Sequence, residues 1–360
     1  MRFFRWIRRY ASRLIGYSVS GSLVIQTSFL GDVILTTPLI AELARRGPVD
    51  VLATPVGATA LANNPDIRTV IRYDKRGTYG AALGLWNTVK EIRGRRPYDV
   101  AYLAQGSFRS GLLAMLTGAE ERIGFASSTG RLLYTTQIPY RPEKHHAERL
   151  WSLAFSDCAD PPTPDQIRPR LFPSDEDRAT VDTLLRRTDG SDDPIIALAP
   201  GSAWGTKRWP YFVDLARRLG EEFRIAVVGS KADAPVADQI IAALPPGCVI
   251  DGVGTLSLLA SAELIGRAQA IVTNDSAPQH LASAMGTPTL AIFGPTVPEF
   301  GFGPLAERRA IAGHPSLSCR PCHRHGPQKC PLGHWRCMRE LTPEYISSLL
   351  TEVLNPPVPV

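Results

Sequence analysis

The sequence predicts an α/β protein built from two doubly wound, Rossmann-like domains that face each other across a cleft. Three observations predict it: the length of the chain, short apolar runs alternating with helical stretches, and a proline-dense interruption near the middle. With 360 residues the chain exceeds one ordinary α/β core and suits two domains of Rossmann size. Apolar runs at 23–25, 49–53, 69–73 and 98–103 read as strands, with helices from Gly31-Asp32 through Arg46 and over 79–93. Continuous apolar runs of this length belong to parallel sheets covered on both faces. Pro161, Pro162, Pro164, Pro169 and Pro173 then crowd one stretch and exclude both helix and central strand, which marks an inter-domain linker. The rhythm restarts with strands at 195–199, 224–228, 248–250, 270–273 and 289–293, and helices centred near Leu215, Ile240, Leu259 and Leu281. The expected units are a basic amphipathic segment 1–20, a first domain 21–170, a second domain 171–318 and a cysteine-rich segment 319–340. A C-terminal helix over 341–356 is expected to pack back on the first domain.

Hydrophobic content of 44% and charged content of 21% are those of a globular protein, and no apolar run reaches the length of about 18 residues needed to span a bilayer. The first residues lack the apolar core and cleavage site of a signal peptide, so a cytoplasmic protein is expected. A net charge of +6 favours an anionic partner, whether nucleic acid, acidic lipid or phosphorylated sugar; a uniformly basic surface is the plain alternative. In the opening segment Phe3, Phe4, Ile7, Leu14 and Ile15 share one side of a helix flanked by arginines. That pattern suits an interfacial helix on anionic lipid, and equally a basic tail or a helix packed on its own domain.

Two strand-to-helix loops carry the chemistry. The first, Gly201 to Pro210, offers Gly201, Ser202 and Gly205 for close approach of backbone N–H groups to an anion, Lys207 as a cation, and Pro210 to start a helix. Its spacing is not that of a Walker loop, and a plain turn with a solvated Lys-Arg pair is the alternative. The second loop, Asn274 to His280, places Asp275, Ser276 and Ala277 at a strand end and His280 in the next helix. Asp275 or Ser276 as a helix cap is its plain reading. Two such loops in one domain, one cationic and one with Asp and His, point to a site. Loops at Gly229–Asp233 and Gly294–Thr296 share that rim. In the first domain, Gly31 and Asp32 open the first long helix and set one carboxylate at the cleft, where Asp32 is a cap or a base.

Taken together, Ser28-Phe-Leu-Gly-Asp32, Pro200-Gly-Ser-Ala-Trp-Gly-Thr-Lys-Arg-Trp-Pro210, Thr273-Asn-Asp-Ser-Ala-Pro-Gln-His280 and Phe293-Gly-Pro-Thr296 resemble glycosyltransferase family 9. These are the ADP-heptose:lipopolysaccharide heptosyltransferases, and the motifs are more similar to the heptosyltransferase II branch. The resemblance implies a GT-B fold and inverting transfer of heptose from ADP-heptose to the lipopolysaccharide inner core (a lipid A–Kdo acceptor). It implies that Asp32 is the catalytic carboxylate and that Lys207, Gly201 and Ser202 bind the diphosphate. Asp275, Ser276, Ala277 and His280 would hold sugar and phosphates, and Asp233 the ribose. The first domain would bind the acceptor through Gly31 and Arg109, with Arg131 and Arg76 looser candidates. Catalysis would need no cofactor, since Lys207 and helix N-termini can meet the charge on the leaving diphosphate. The expected place of work is the cytoplasmic side, peripheral on the inner membrane.

Cys158 and Cys248 stand alone, whereas Cys319, Cys322, Cys330 and Cys337 cluster with His323, His325 and His334. One C-x-x-C pair plus two cysteines could make a structural zinc site; free thiols are the alternative. Other readings are a GT-B transferase of another nucleotide sugar, or a nucleotide-sugar epimerase. A nucleic-acid module would leave both α/β halves without purpose, so no nucleic-acid partner is expected. No G-x-G-x-x-G follows a strand, which disfavours a dinucleotide oxidoreductase.

Overall fold

The computed structural model describes residues 21–74, 80–95, 97–155, 160–187 and 193–355. The basic segment 1–20, Arg76 and Cys158 lie outside the described residues.

The chain forms two parallel six-stranded sheets. The first contains β1 (Gly21–Gln26), β2 (Val49–Ala53), β3 (Thr69–Arg72), β4 (Tyr98–Leu103), β5 (Glu121–Phe125) and β6 (Thr136–Ile138). Its strand order is β3-β2-β1-β4-β5-β6. The second contains β7 (Ile195–Ala199), β8 (Arg224–Val227), β9 (Val249–Asp251), β10 (Ala270–Asn274), β11 (Thr289–Phe293) and β12 (Arg309–Gly313). Here the order is β12-β11-β10-β7-β8-β9, the same doubly wound arrangement. The order in which strands are added reverses between β1 and β4 in one sheet and between β7 and β10 in the other. Such switch points leave a crevice beyond the strand ends, where ligands bind in this class of fold. The loops after β1, β7 and β10 therefore open into the positions that matter.

β2, β7, β10 and β11 are buried at every residue, which is why they read as largely apolar runs, interrupted by Asp50 in β2 and ended by Thr273-Asn274 in β10. Strands β5, β6 and β12 escape a hydropathy reading because they are short and carry Glu121, Arg122, Thr136 and Arg309 on partly exposed positions. The single helix expected through Arg46 is two, Leu30–Leu35 and Thr37–Ala44. Thr36 divides them: its Oγ1 donates to the Asp32 carbonyl at 2.7 Å and accepts from Gln26 Nε2 at 3.0 Å. Pro38, with no N–H, suits the first turn that follows.

The C-terminal helix, Pro343–Leu354, does not pack back on the first domain. Ile346, Leu350 and Val353 enter the core of the second sheet with Leu290, Ile292 and Ala312. The chain leaves β12 on the edge of that sheet, and the i, i+4, i+7 spacing of these residues gives the helix one apolar face to lay on it. The halves meet through a separate apolar seam. Ile34 and Ala60 of the first half join Leu264, Leu281 and Ala282 of the second in one buried cluster.

At the amino ends of the first sheet, opposite the crevice, Asp50 on β2 is fully buried. It accepts two hydrogen bonds from Arg68, at 2.9 and 2.8 Å, and one from the Tyr98 hydroxyl at 2.6 Å. Burial opposes ionisation, but these hydrogen bonds and the arginine charge hold the Asp50 carboxyl below its ordinary range. Its stabilising contribution is thus present above a pH of about 3.9 and lost as pH falls through the lower folded value. Asp50→Ala should cost about 3 kcal/mol in urea unfolding, since it strands Arg68 and Tyr98. The acid-side loss of stability should shrink in the same variant.

Candidate active site

Asp32 sits in the first turn of helix Leu30–Leu35, directly after β1. It does not cap that helix. The capping position is Phe29, without a side-chain bond, and the Asp32 carboxylate turns away from the backbone. Oδ2 accepts from the Ser28 hydroxyl at 2.6 Å, and Oδ1 lies 3.3 Å from His146 Nε2. Burial pushes this carboxyl up, but hydrogen bonds from His146 and Ser28 hold it below the usual range. Asp32 is therefore ionised at neutral pH.

Gly31 is one of the points where the two halves touch. A Cβ there would stand 2.8 Å from His280 Cδ2 and 3.3 Å from its Nε2, so only glycine lets the first helix reach the second domain. His280 lies in helix Ala277–Met285, after β10. Burial drives its pKa down to about 4 against the pull of Asp275 and Asp32, so the imidazole is neutral. Its Nδ1 is buried without a hydrogen-bond partner.

The loops after β7 and β10 are locked together because those strands are neighbours, with Ala199 beside Thr273. Asn274 bridges them: its Nδ2 donates to the Pro200 carbonyl at 2.8 Å and its Oδ1 accepts from Trp209 N–H at 3.0 Å. Lys207 is buried and its Nζ contacts Asp275 Oδ2 at 2.5 Å. Asp275 also accepts from Thr296 Oγ1 at 2.6 Å and from Gln279 Nε2 at 3.0 Å. Asp275 is thus no helix cap but the acidic centre of a buried pair. Ser276 Oγ donates to the Gly201 carbonyl at 3.3 Å, and Ala277 opens the helix beside it. The Ser202 hydroxyl accepts from Trp204 N–H at 3.3 Å. Asp233 closes a capping box with Ser230, and its carboxylate fills the space a Cβ on Gly201 would need, 2.5 Å away.

Asp32, Gly31 and His280 thus meet at one point, adjoining the Lys207–Asp275 pair, with Gly201, Ser202, Ser276 and Ala277 on the same rim. Arg109 and Arg131 are exposed near each other, in helix Phe108–Thr117 and the turn Arg131–Leu133, at the carboxyl ends of β4 and β5. Among the described residues no hydrogen bond or ion pair joins either to Asp32. Sequence reasoning missed His146 altogether, while Ser28, Asn274 and Gln279 stand inside the quoted motifs without a role assigned to them. His146 stands 114 positions after Asp32 (146 − 32), and nothing in its neighbourhood signals the contact.

The zinc reading of the cysteine cluster is not supported. Among the described residues no group of three or more His, Cys, Asp or Glu side chains could hold a metal. The four thiols are free and sit at different depths, Cys337 buried beside Met338 in the second core and Cys322 exposed. Burial, with neighbouring Cys322, pushes the Cys337 thiol up to about 11, so it remains protonated. The segment instead clasps the Lys207 loop. Gly205 N–H donates to Gln328 Oε1 and Gln328 Nε2 to the Ala203 carbonyl, both at 3.0 Å, while Trp335 Nε1 donates to the Thr206 carbonyl at 2.9 Å. Gly326, at φ +84°, packs its backbone against the Lys207 side chain. His325 stacks on Trp204 and approaches Phe29 of the first half, with ring centroids 6.1 Å apart in both pairs.

Residues 85–335, more than half of the chain, match the family model of glycosyltransferase family 9 (heptosyltransferase). The chain belongs to this family. Lipooligosaccharide heptosyltransferase 2 of Haemophilus influenzae is 27% identical over 354 residues, covering 92% of this chain and 99% of the relative. The E. coli ADP-heptose lps heptosyltransferase II structure superposes with a TM-score of 0.73 at 24% identity, covering 93% and 98% of the two chains. A family 9 glycosyl transferase from Veillonella parvula gives a TM-score of 0.80 at 21% identity over 94% and 98%. The fold is therefore GT-B, and this family 9 enzyme is a heptosyltransferase with the pair of doubly wound domains that its sequence predicts.

Proposed function

We propose that this family 9 enzyme transfers heptose from ADP-heptose to the lipopolysaccharide inner core with inversion, using Asp32 as the general base. The observation that carries the reading is the meeting of Asp32 with the donor loops: Gly31 abuts His280, five residues beyond Asp275, which holds Lys207. The relatives' names supply the substrates: the E. coli neighbour is an ADP-heptose lps heptosyltransferase, and the Haemophilus relative a lipooligosaccharide heptosyltransferase.

In this reading residues 21–170 bind the acceptor, with Arg109 and Arg131 facing its anionic groups, and 171–318 bind the donor, with the 319–340 clasp fixing the Lys207 loop. The acceptor hydroxyl loses its proton to Asp32 as its oxygen forms the bond to the heptose anomeric carbon. The bond from that carbon to the diphosphate oxygen breaks on the opposite face, and ADP leaves with the electron pair. A carboxylate of low pKa suffices as base when the sugar carries much positive charge before the proton moves. The charge growing on the diphosphate falls to Lys207, backbone N–H groups after Gly201 and Ser202, and the N-terminus of helix Ala277–Met285. Asp275 holds Lys207 in place until the diphosphate competes for it, and Asp233 shapes the turn on which the ribose rests.

Among the described residues no helix is long and apolar enough to cross a membrane. We place the enzyme at the cytoplasmic face of the inner membrane with segment 1–20 as its peripheral contact. Co-sedimentation with anionic liposomes should fall when 1–20 is deleted, and equal sedimentation would remove that role.

Asp32→Asn should lower kcat by roughly 100-fold or more while ADP affinity stays unchanged. Lys207→Ala should weaken ADP binding by about tenfold or more, read by titration calorimetry. Turnover by the Asn variant, or undiminished ADP affinity in the Ala variant, would contradict the respective assignment.

A further inference from the structure

His146 is the one polar side chain from outside its own loop that contacts the Asp32 carboxylate among the described residues, and it is fixed by the opposite half of the molecule. It opens helix His146–Ser152, whose start faces the segment that follows β11. His146 N–H donates to the Gly301 carbonyl at 2.8 Å, and its ring lies on Phe302 with centroids 4.8 Å apart. Next to it, His145 Nε2 meets the Gly303 carbonyl at 3.0 Å, and Arg149 donates to the Phe300 carbonyl at 3.1 Å. Gly301 is held at φ +92°, and a Cβ there would strike Arg149 Nη2 at 2.4 Å, so the close approach of this segment is built in. The placement of His146 therefore depends on the donor half as much as on its own.

The ring's protonation follows from its surroundings. Nδ1 is buried without a partner, and a hydrogen there would be an orphaned donor. Nε2 has the Asp32 carboxylate before it, so the hydrogen belongs on Nε2. At 3.3 Å the contact is longer than the 2.7–2.9 Å of a tight charge-assisted bond, as such contacts often are before substrate arrives.

We propose that His146 is a positioning residue for Asp32: its Nε2–H, held by Gly301 and Phe302 of the donor half, orients the carboxylate only when the two halves are docked. The inference rests on the reading of Asp32 as the base. Ser28 Oγ fixes the other carboxylate oxygen from within the first half, so His146 is the link that reports the donor half. The remaining groups that face Asp32 are few. His280 presents a neutral ring from helix Ala277–Met285, His325 acts from the clasp, and Lys207 lies beyond His280 already paired with Asp275.

The test is the pH profile of kcat/KM in His146→Ala, His146→Gln and Phe302→Ala, with ADP affinity and thermal melting as controls for folding. Loss of His146 leaves Asp32 buried without its main counterweight, so its pKa rises and the acid limb moves up by about one pH unit. At neutral pH kcat should fall roughly 10- to 100-fold. His146→Gln, whose amide N–H can reach Oδ1, should recover most of the rate. Phe302→Ala, a change in the other half, should shift the acid limb in the same direction. A folded, ADP-binding alanine variant with wild-type kcat and acid limb would overturn the proposal. So would a glutamine variant as slow as alanine, since the imidazole would then be exchanging a proton. An unmoved limb in Phe302→Ala would overturn the coupling between halves. An inactive Asp32→Asn variant beside an unaffected His146→Ala variant refutes this inference alone; an active one refutes the base assignment with it.

Discussion

The approach of helix Leu30–Leu35 to His280, at the one residue where no side chain intervenes, is the contact on which the rest depends. Gly31 brings two sheets together at their switch points, and a single methyl group there would stand 2.8 Å from an imidazole carbon. Behind it Ile34 and Ala60 bury against Leu281 and Ala282, so the approach is supported by apolar area and not by polar contact alone. Every feature of the site follows from that register. Asp32 is carried to the loops that follow β7 and β10, His280 is dried into its neutral form, and the segment from Phe300 to Gly303 is brought against the helix that presents His146.

The electrostatics of the site are economical. Its buried cation Lys207 is matched by Asp275, which Thr296 and Gln279 also satisfy, so neither charge is stranded when no donor is bound. In the proposed reading, an arriving diphosphate meets a cation already in position and a set of loops already tied by Asn274. Pre-set donors of this kind cost little reorganisation when charge develops, which is the condition for stabilising a leaving group. The 319–340 segment contributes in the same way, by holding the Lys207 loop from outside. The Gln328 and Trp335 side chains and the backbone of Gly326 do that work, and its cysteines sit around it as free thiols.

Much of this was legible in the sequence, because parallel strands buried on both faces leave continuous apolar runs and the switch-point loops stand at their ends. Gly201, Lys207, Asp275 and His280 were readable for that reason, as were Gly31 and Asp32 once joined to the family motifs. Edge strands β5, β6 and β12 were hidden by their polar, half-exposed residues. His146 was hidden because its contact with Asp32 is made by tertiary packing across 114 positions (146 − 32), for which local pattern has no signal. The zinc reading is unsupported for a related reason: spacing brings four cysteines near in sequence but does not set how they meet in space, and among the described residues no group of three or more His, Cys, Asp or Glu side chains could hold a metal. The C-terminal helix was assigned to the wrong domain because its apolar stripe fits any sheet, and only the exit of the chain from β12 decides which.

The central claim is that Asp32 faces the donor from the side opposite the departing diphosphate. The most direct test is the anomeric configuration of the transferred heptose, read by NMR from the one-bond carbon–hydrogen coupling at the anomeric carbon of product formed from ADP-heptose of known configuration. The account predicts an inverted configuration throughout the time course. Retention at that carbon would contradict a single displacement with Asp32 as base.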